Sequence, residues 1–118
     1  MLELFASLKT IPWEQVTPEY ARRSLVGEKC MVIWEKMAAG AYAKPHHHPN
    51  EQMFWVMKGR MVIRIGTESK VCGPGDLARV PPDVEHDARF EVDTEFVTFQ
   101  APPRTDHLPG TPPPDHMR

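Results

Sequence analysis

The feature that most constrains the fold is a succession of short segments, rich in β-branched and aromatic residues, between Cys30 and Gln100. The segments read CMVIWEKM, QMFWVMKG, RMVIRIG, DLARVP, HDARFEV and TEFVTFQ, with turn-forming stretches such as AAGAYAKP, MKGR, GTES, GPGD and PPDVEH between them. No apolar period of 3.6 residues lasts long enough to predict a substantial helix here. Many short strands at regular spacing predict an all-β fold, an antiparallel sandwich or barrel.

The length of 118 residues predicts a single domain with one core. We place the barrel at residues 29–104 and an N-terminal arm at residues 1–28, with a short strand near KTIPWEQV and a turn or short helix at TPEYARR. Residues 105–118 are predicted to form an extended, Pro-rich tail that is ordered only where it crosses the barrel mouth or a partner subunit. Proline fixes φ and has no backbone donor, so this stretch cannot form a helix or a central strand.

Composition narrows the classes of function. A net charge of −2 gives no electrostatic reason to expect nucleic acid or an anionic membrane as partner. No stretch approaches the roughly 20 apolar residues of a membrane helix, and the first residues lack the basic start of a signal peptide. We therefore expect a cytoplasmic protein. Cys30 and Cys72 lack CxxC spacing and are interpreted as free thiols rather than a disulfide or a metal pair.

The segment QMFWVMK bears on quaternary structure. Its alternating faces, Gln52/Phe54/Val56 and Met53/Trp55/Met57, are both apolar beyond the first residue. A strand of a two-layer β domain usually keeps one polar face. Two apolar faces indicate that the outer one is covered, either by a second copy of the chain, which predicts a homodimer, or by the N-terminal arm.

The stretch KPHHHPNEQ, residues 44–52, is the strongest candidate for chemistry. In extended chain, residues two apart face the same way, so His46 and His48 share a face and His47 points away. The same alternation places Gln52, rather than Glu51, with the two histidines. A firm divalent-metal site needs at least one more ligand. His86 is the candidate, because it starts a strand after the rigid Pro81–Pro82 turn.

These two segments resemble the paired motifs of the cupin superfamily, and of its small, single-domain bacterial members with a type-2 conserved barrel in particular. In the first motif, Gly40 precedes His46, His48 and Gln52 at the family's spacing, and Gly59 closes it. In the second, Gly75 precedes Pro81 and His86, with Asp83 where the family has Gly and Phe90 where it often has Asn. The resemblance implies a double-stranded β-helix, or jelly-roll barrel, of the RmlC-like kind.

The resemblance also implies a mononuclear metal site. Its ligands would be His46, His48, Gln52 and His86. Most metal-binding cupins have a glutamate where this chain has Gln52, so the neighbouring Glu51 is the alternative ligand. The ion would be a divalent Fe, Ni, Zn or Mn, which the sequence does not distinguish. Three neutral imidazoles and an amide would leave its charge uncompensated and make it strongly Lewis acidic. His107 and His116, in the Pro-rich tail, are predicted to be solvated.

A second resemblance concerns the pocket. The ending TEFVTFQAPPR is similar to the Asp-x-Phe-x-Pro-x-Arg pattern of small cupins that act on uronates from pectin and alginate. Arg104 matches the Arg that holds the sugar carboxylate, and Pro102 also fits, but Thr98 and Gln100 replace the Asp and the Phe. The usual proton-transfer residue is therefore missing. Arg104, Thr98 and Gln100 remain catalytic candidates, and Phe54, Phe90, Phe96 and Arg104 are predicted to line the substrate pocket.

Three functions follow as hypotheses. The first is a metal-dependent enzyme of the dioxygenase, isomerase or lyase type, acting on a small anionic or carbonyl-bearing molecule. Within this class, the chain could be a uronate-processing cupin without the usual acid/base Asp. The second is a non-catalytic protein that binds a small ligand, and the third is a structural dimer with a vestigial pocket. Turnover separates the first from the second, and metal content separates the first from the third.

Overall fold

The computed structural model describes residues 2–118, and its regular secondary structure is almost entirely β-strand. The strands are β1 (Glu14–Thr17), β2 (Tyr20–Val26), β3 (Met31–Met37), β4 (Tyr42–His46), β5 (Glu51–Lys58), β6 (Met61–Ile65), β7 (Glu68–Cys72), β8 (Leu77–Val80), β9 (His86–Arg89) and β10 (Thr94–Ala101). Two 3-10 helices follow, Thr105–His107 and Asp115–Met117. The predicted all-β fold is confirmed.

The strands form two antiparallel sheets that face each other as a jelly-roll barrel. One sheet has the order β1-β2-β3-β10-β5-β8 and the other β4-β9-β6-β7. The strict alternation of buried and half-buried residues along β3 shows how sequence sets the faces. On β10 the predicted inner face, Thr94, Phe96, Thr98 and Gln100, is buried. The core therefore lies between the sheets, and the site described below lies at one end of it.

The first 28 residues contribute more than an arm. Residues 14–17 form the expected short strand, but TPEYARR supplies a turn followed by β2 rather than a helix. Strand β2 pairs with β3 over seven residues, from Tyr20↔Met37 to Val26↔Met31. The sheet therefore continues across residue 28. Burial of Tyr20 and Arg22 between the sheets outweighs the weak helical preference of YARR.

Two strands lie in stretches that the sequence marks as turns. Strand β4 begins within AAGAYAKP, and β7 begins within the turn signal GTES. Alternation is weak in both: β4 contains Lys44 and Pro45, and β7 is exposed along most of its length. Pairing with β9 and with β6, which sequence alone does not reveal, holds them in the sheet.

Glycine is required where two loops approach each other closely. Gly59, in the turn between β5 and β6, has φ +86°, and a Cβ there would lie 2.3 Å from the carbonyl oxygen of Asp93. Only glycine tolerates both the left-handed conformation and that contact. This glycine closes the first motif, so the motif spacing corresponds to a real packing constraint.

The outer face of the six-stranded sheet is partly covered. Arg23 donates hydrogen bonds from its Nη1 to the carbonyls of Leu8 and Ile11, and its guanidinium stacks on Trp13 at 4.1 Å. These contacts hold the N-terminal residues over one half of the face. On the other half four apolar side chains remain exposed: Met53, Trp55, Leu77 and Phe99.

Residues 105–118 do not form the expected extended tail. They fold back over the end of the barrel, where the guanidinium of Arg22 donates to the carbonyls of Leu108 and Thr111, at 3.2 and 3.0 Å. The backbone N–H of Gly110 donates to Glu14 at 2.7 Å. Proline prevents regular structure here but not order, because β1 and β2 supply the polar partners. Cys30 and Cys72 are free, as predicted. Between residues 2 and 118, no helix has the length and apolar character needed to cross a membrane.

Candidate metal centre

Strand ends position the candidate ligands. His46 ends β4 and is the direct register partner of His86, the first residue of β9. His48 lies in the loop after β4, and Gln52 is the second residue of β5. The turn that delivers His86 is tied to the same loop, because the N–H of Asp83 donates to the carbonyl of His48 at 2.8 Å. Asp83 stands where the family has Gly and adopts φ +64°, a left-handed conformation that Asp tolerates.

Backbone carbonyls set the orientation of all three imidazoles. The Nδ1 atoms of His46, His48 and His86 lie 2.6, 3.0 and 2.9 Å from the carbonyl oxygens of Lys44, Asn50 and Val84. A carbonyl can only accept a hydrogen bond, so this network assigns the proton to each Nδ1. Nε2 of His46 and of His86 is then left with a free lone pair, the form that ligates a metal, whereas Nε2 of His48 faces Oε1 of Gln52 at 3.0 Å.

These three histidines form a group whose ligating nitrogens lie within 4.8 Å of one another. The ring centroids of His46 and His86 are 4.2 Å apart, and those of His48 and His86 are 4.9 Å apart. Nε2 of His86 is buried and has no hydrogen-bond partner in residues 2–118. A buried nitrogen lone pair without a donor is unfavourable unless a cation satisfies it. The three residues therefore fit a divalent metal ion and could bind one.

Electrostatics keep the imidazoles neutral. Burial lowers the pKa of His46 and of His48 to about 4, and the positive charge of Arg104 acts in the same direction. Burial also lowers the pKa of His86. Metal and proton compete for the same nitrogen, and a neutral imidazole is ready to bind the metal without first losing a proton.

Gln52 lies with the histidines and Glu51 does not. Oε1 of Gln52 is 3.0 Å from Nε2 of His48, and the side chain is buried. Glu51 points to the outer side, where it pairs with Arg79 at 3.2 Å. The alternative that placed Glu51 in the site is therefore inconsistent with the geometry. Gln52 remains the predicted fourth ligand, through its amide oxygen.

Arg104 is buried beside the histidines, but two nitrogens of its guanidinium group already hydrogen-bond to Asp106. Nε and Nη2 donate to the two carboxylate oxygens of Asp106, at 3.0 and 2.7 Å. Nδ1 of His107 lies 2.9 Å from Oδ1 of Asp106. Burial works to raise the pKa of Asp106, but the bond to His107 and the charge of Arg104 hold it well below its usual range. Asp106 thus orients the guanidinium while one face of Arg104 still borders the site.

A cavity adjoins the imidazoles, and the residues that line it can be compared with those predicted from the sequence. Phe54, Phe90, Phe96 and Arg104 all border it together with His46, His86 and Gln52. The rings of Phe90 and Phe96 stack at 5.5 Å, and Phe54 lies 5.8 Å from Phe96. Thr98 and Gln100 point into the barrel and are fully buried, yet they do not border this cavity. Their side chains nevertheless lack hydrogen-bond partners in residues 2–118.

The expectation that His107 and His116 are solvated is wrong. His107 is 4% exposed, and His116 stacks on His46 with ring centroids 3.8 Å apart and planes at 11°. Both border the cavity. A tail that crosses the barrel mouth was one expectation from the sequence, but the prolines around these histidines carry no periodicity that would show which side chains face inward. His47, by contrast, is exposed as expected.

Sequence reasoning also missed Glu35. This carboxylate on β3 is 5% exposed, borders the cavity, and forms no ion pair in residues 2–118. It lies beside Tyr20, whose pKa is raised well above its usual value by burial and by the Glu35 charge. The alternating pattern of β3 places position 35 inside the barrel, and from the sequence this pattern could have identified Glu35 as an inward-facing carboxylate. A glutamate at an inner position of such a strand is a candidate for function.

Comparison with known proteins agrees with this geometry. A family model described as the cupin domain matches residues 33–107, which is more than half of the chain. The chain belongs to the cupin family. Among solved structures, an RmlC-like cupin from Shewanella frigidimarina superposes with a TM-score of 0.85 at 24% identity, over 90% of this chain and 96% of that one.

Two further cupin-fold structures are similar. KdgF from a Halomonas species has a TM-score of 0.82 at 26% identity, over 90% of this chain and 99% of that one. Salicylate 1,2-dioxygenase from Pseudoaminobacter salicylatoxidans has a TM-score of 0.66 at 19% identity, over 72% of this cupin and 27% of that chain. A search of the curated proteins finds no match to this cupin.

Proposed function

We propose that this cupin is a metal-dependent enzyme acting on a small anionic molecule, through one divalent ion held by His46, His48, His86 and Gln52. The observation that carries the proposal is the convergence of three imidazoles, each of which offers a ring nitrogen within 4.8 Å of the others while a backbone carbonyl lies beside its Nδ1. Histidines with a purely structural role rarely converge in this way. A metal site requires that arrangement.

The ligand set and its surroundings favour an anionic substrate. The bound ion would supply Lewis acidity, and no carboxylate among these ligands would offset its charge. Arg104 adds a positive charge beside the imidazoles, and Asp106 offsets only that one. Phe54, Phe90 and Phe96 form an apolar wall that limits water around a bound molecule. With a divalent ion bound, the summed charge of the ion, Arg104, Asp106 and Glu35 is still positive, so a carboxylate or enolate oxygen would be attracted here.

Glu35 is the residue we propose to move a proton. The Asp-x-Phe-x-Pro-x-Arg ending of similar cupins has an aspartate where this chain has Thr98. A threonine hydroxyl is not a base near neutral pH. The buried carboxylate of Glu35, which has no ion-pair partner in residues 2–118, borders the same cavity. A uronate-processing or other isomerase or lyase activity thus does not require the missing Asp.

Metal content tests the site. Protein purified without a chelating column is expected to contain about one equivalent of iron, nickel, zinc or manganese by elemental analysis. His86→Ala should lose it, because two imidazoles and an amide bind far more weakly than three imidazoles and an amide. His47→Ala is the matched control, since His47 belongs to the same run of histidines but points to solvent. Equal metal in both variants, or none in the wild type after reconstitution, would rule the site out.

Turnover separates an enzyme from a protein that only binds its ligand. The metal-loaded protein should be assayed against unsaturated uronates and hydroxylated aromatic acids, with their methyl esters as uncharged counterparts. Activity is expected on the free acids only. Arg104→Gln should lower kcat/KM by about ten- to a hundred-fold, because it removes the positive charge that borders the site and leaves the carboxylate of Asp106 without its partner. Saturable binding of the acids with no product would favour the non-catalytic alternative.

A further inference from the structure

Residues 112–118, which we call the closing segment, lie across the mouth of the cavity. The imidazole of His116 stacks on His46 at 3.8 Å and on His107 at 5.7 Å, nearly parallel in both cases. Met117 packs against the hydrophobic core, and Pro114 is buried. Each of these side chains faces inward from a segment that has no strand partner. The closing segment therefore covers the metal ligands rather than lying on the outer surface of the barrel.

The two ends of this region are held in different ways. Residues 108–111 are fixed by hydrogen bonds to Arg22 and Glu14, on β2 and β1. The closing segment makes hydrogen bonds only within itself, such as Met117 N–H to Pro114 at 2.9 Å and Arg118 Nε to Pro113 at 3.0 Å. Between it and the rest of residues 2–111, no hydrogen bond or ion pair is present. Stacking and apolar packing alone hold it down.

The segment also has the mechanical properties of a moving unit. Pro112, Pro113 and Pro114 each have a fixed φ and no backbone donor, so the segment is stiff and loses no backbone hydrogen bond from these residues when it lifts. Rotation about the backbone near Thr111 would move His116 and Met117 together. The polar anchors at Arg22 and Glu14 would stay in place.

With the segment in place, little room remains beside the imidazoles. The enclosed volume is about 40 Å³, enough for roughly two or three water molecules. Pockets that enclose a small organic ligand are commonly about 300 Å³ or larger. A sugar acid or an aromatic acid cannot reach the site past His116 and Met117 as they stand.

We propose that the closing segment is a lid, and that its opening controls access of metal ions and organic anions to His46, His48 and His86. The proposal rests on the metal site proposed above. A lid and a metal ligand at His116 have different kinetic effects. A lid slows association and release of the metal ion equally, whereas a ligand slows release alone.

The first test follows Co²⁺ exchange in the full-length protein by its visible absorption. Replacing His116→Ser together with Met117→Ser removes the stacking and the apolar anchor, and Asp115→Asn, an exposed position in the same segment, is the control. In the double variant we expect both Co²⁺ association and its release to excess EDTA to be about ten-fold faster or more, with Kd unchanged. Unchanged rates would overturn the lid. Faster release with unchanged association would overturn it in favour of a fourth imidazole ligand.

The second test needs no metal, so it separates failure of the lid from failure of the metal site. Diethylpyrocarbonate acylates neutral, accessible imidazoles, and peptide mass spectrometry gives the rate at His86, which is 3% exposed. The double variant should acylate His86 about ten-fold faster than the wild type and the Asp115→Asn control. Equal rates at His86, with His47 reacting alike in all three proteins, would show that the segment does not control access.

Discussion

At the scale of single residues, each candidate ligand is oriented by a carbonyl two positions away in the chain: Lys44 for His46, Asn50 for His48 and Val84 for His86. The tautomer is therefore a local property of the backbone at each strand end. Distant residues are not needed to orient the rings, only to bring them together. A short motif with fixed spacing can carry such a site, because the spacing already encodes the orientation.

These same residues predict how stability depends on pH. In the metal-free protein His46 and His48 have a folded-state pKa of about 4, against about 6.5 when unfolded. At pH 7 both imidazoles are mostly neutral in the folded and in the unfolded protein, so their protonation takes almost nothing from the free energy of unfolding. As pH falls from 6.5 towards 4, the unfolded chain takes up protons that the folded chain does not, so the free energy of unfolding must fall.

The slope is bounded by about 1.4 kcal/mol per pH unit for each such histidine, and partial solvent exposure makes it smaller. Urea unfolding of EDTA-treated protein between pH 6.5 and 5 measures it, in a range where most carboxylates stay ionised. His48→Asn should reduce the slope, and the exposed His47→Asn should not. A slope that is unchanged in His48→Asn would contradict the assigned burial of this group.

At the scale of elements, the sequence predicted the strands in which apolar and polar residues alternate clearly. It missed the strands that only pairing with a neighbouring strand holds in the sheet. Gln52 was placed correctly relative to Glu51 because strand parity is a local rule. The inner face of β10 followed from the same rule. Strands β4 and β7, the pairing of β2 with β3, and the positions of the buried His107 and the half-buried His116 all depend on partners far away in the chain. No local pattern contains that information.

The turn between β5 and β6 offers a test of close packing. Gly59→Ala combines a left-handed φ with a Cβ 2.3 Å from the Asp93 carbonyl, so both strain and overlap apply. We expect the free energy of unfolding to fall by about 2–5 kcal/mol. Gly40→Ala is the matched control: φ is +91°, but no atom lies within 4 Å of the added Cβ. Its cost should be only about 1–2 kcal/mol. Equal costs in chemical denaturation would mean that the loop at Asp93 moves aside.

At the scale of the whole molecule, the outer face of the six-stranded sheet remains half uncovered. The N-terminal residues cover the part near Trp34 and Val97. Leu77 is 72% exposed, and Met53, Trp55 and Phe99 are exposed beside it. A contiguous apolar area of this kind is unfavourable in water. The N-terminal residues thus cover one part of this face, and we propose that a second copy of the chain covers the rest.

We expect the protein to sediment as a dimer, at twice its 13.5 kDa mass. Trp55→Asp places a charge in the centre of the exposed area and should give a monomer with the same far-UV spectrum. Val71→Asp, at an equally exposed apolar position of the other sheet, is the control and should remain dimeric. Sedimentation velocity at micromolar concentration decides between these outcomes. A monomeric wild type would leave the N-terminal residues as the only cover.

The position of β10 has a consequence for the order in which the protein can be assembled. This strand, tenth along the chain, lies between β3 and β5 and pairs with both over almost its whole length. Until residues 94–101 have left the ribosome, β3 and β5 have no shared neighbour, and the larger sheet exists only as two separate pieces. Closing it pairs β10 with residues 37 to 50 positions away on β5 and 57 to 69 positions away on β3, which is entropically slow. We therefore expect the candidate ligand Gln52, on β5 of this sheet, to take its place beside the histidines of the other sheet only after the whole barrel has been synthesised.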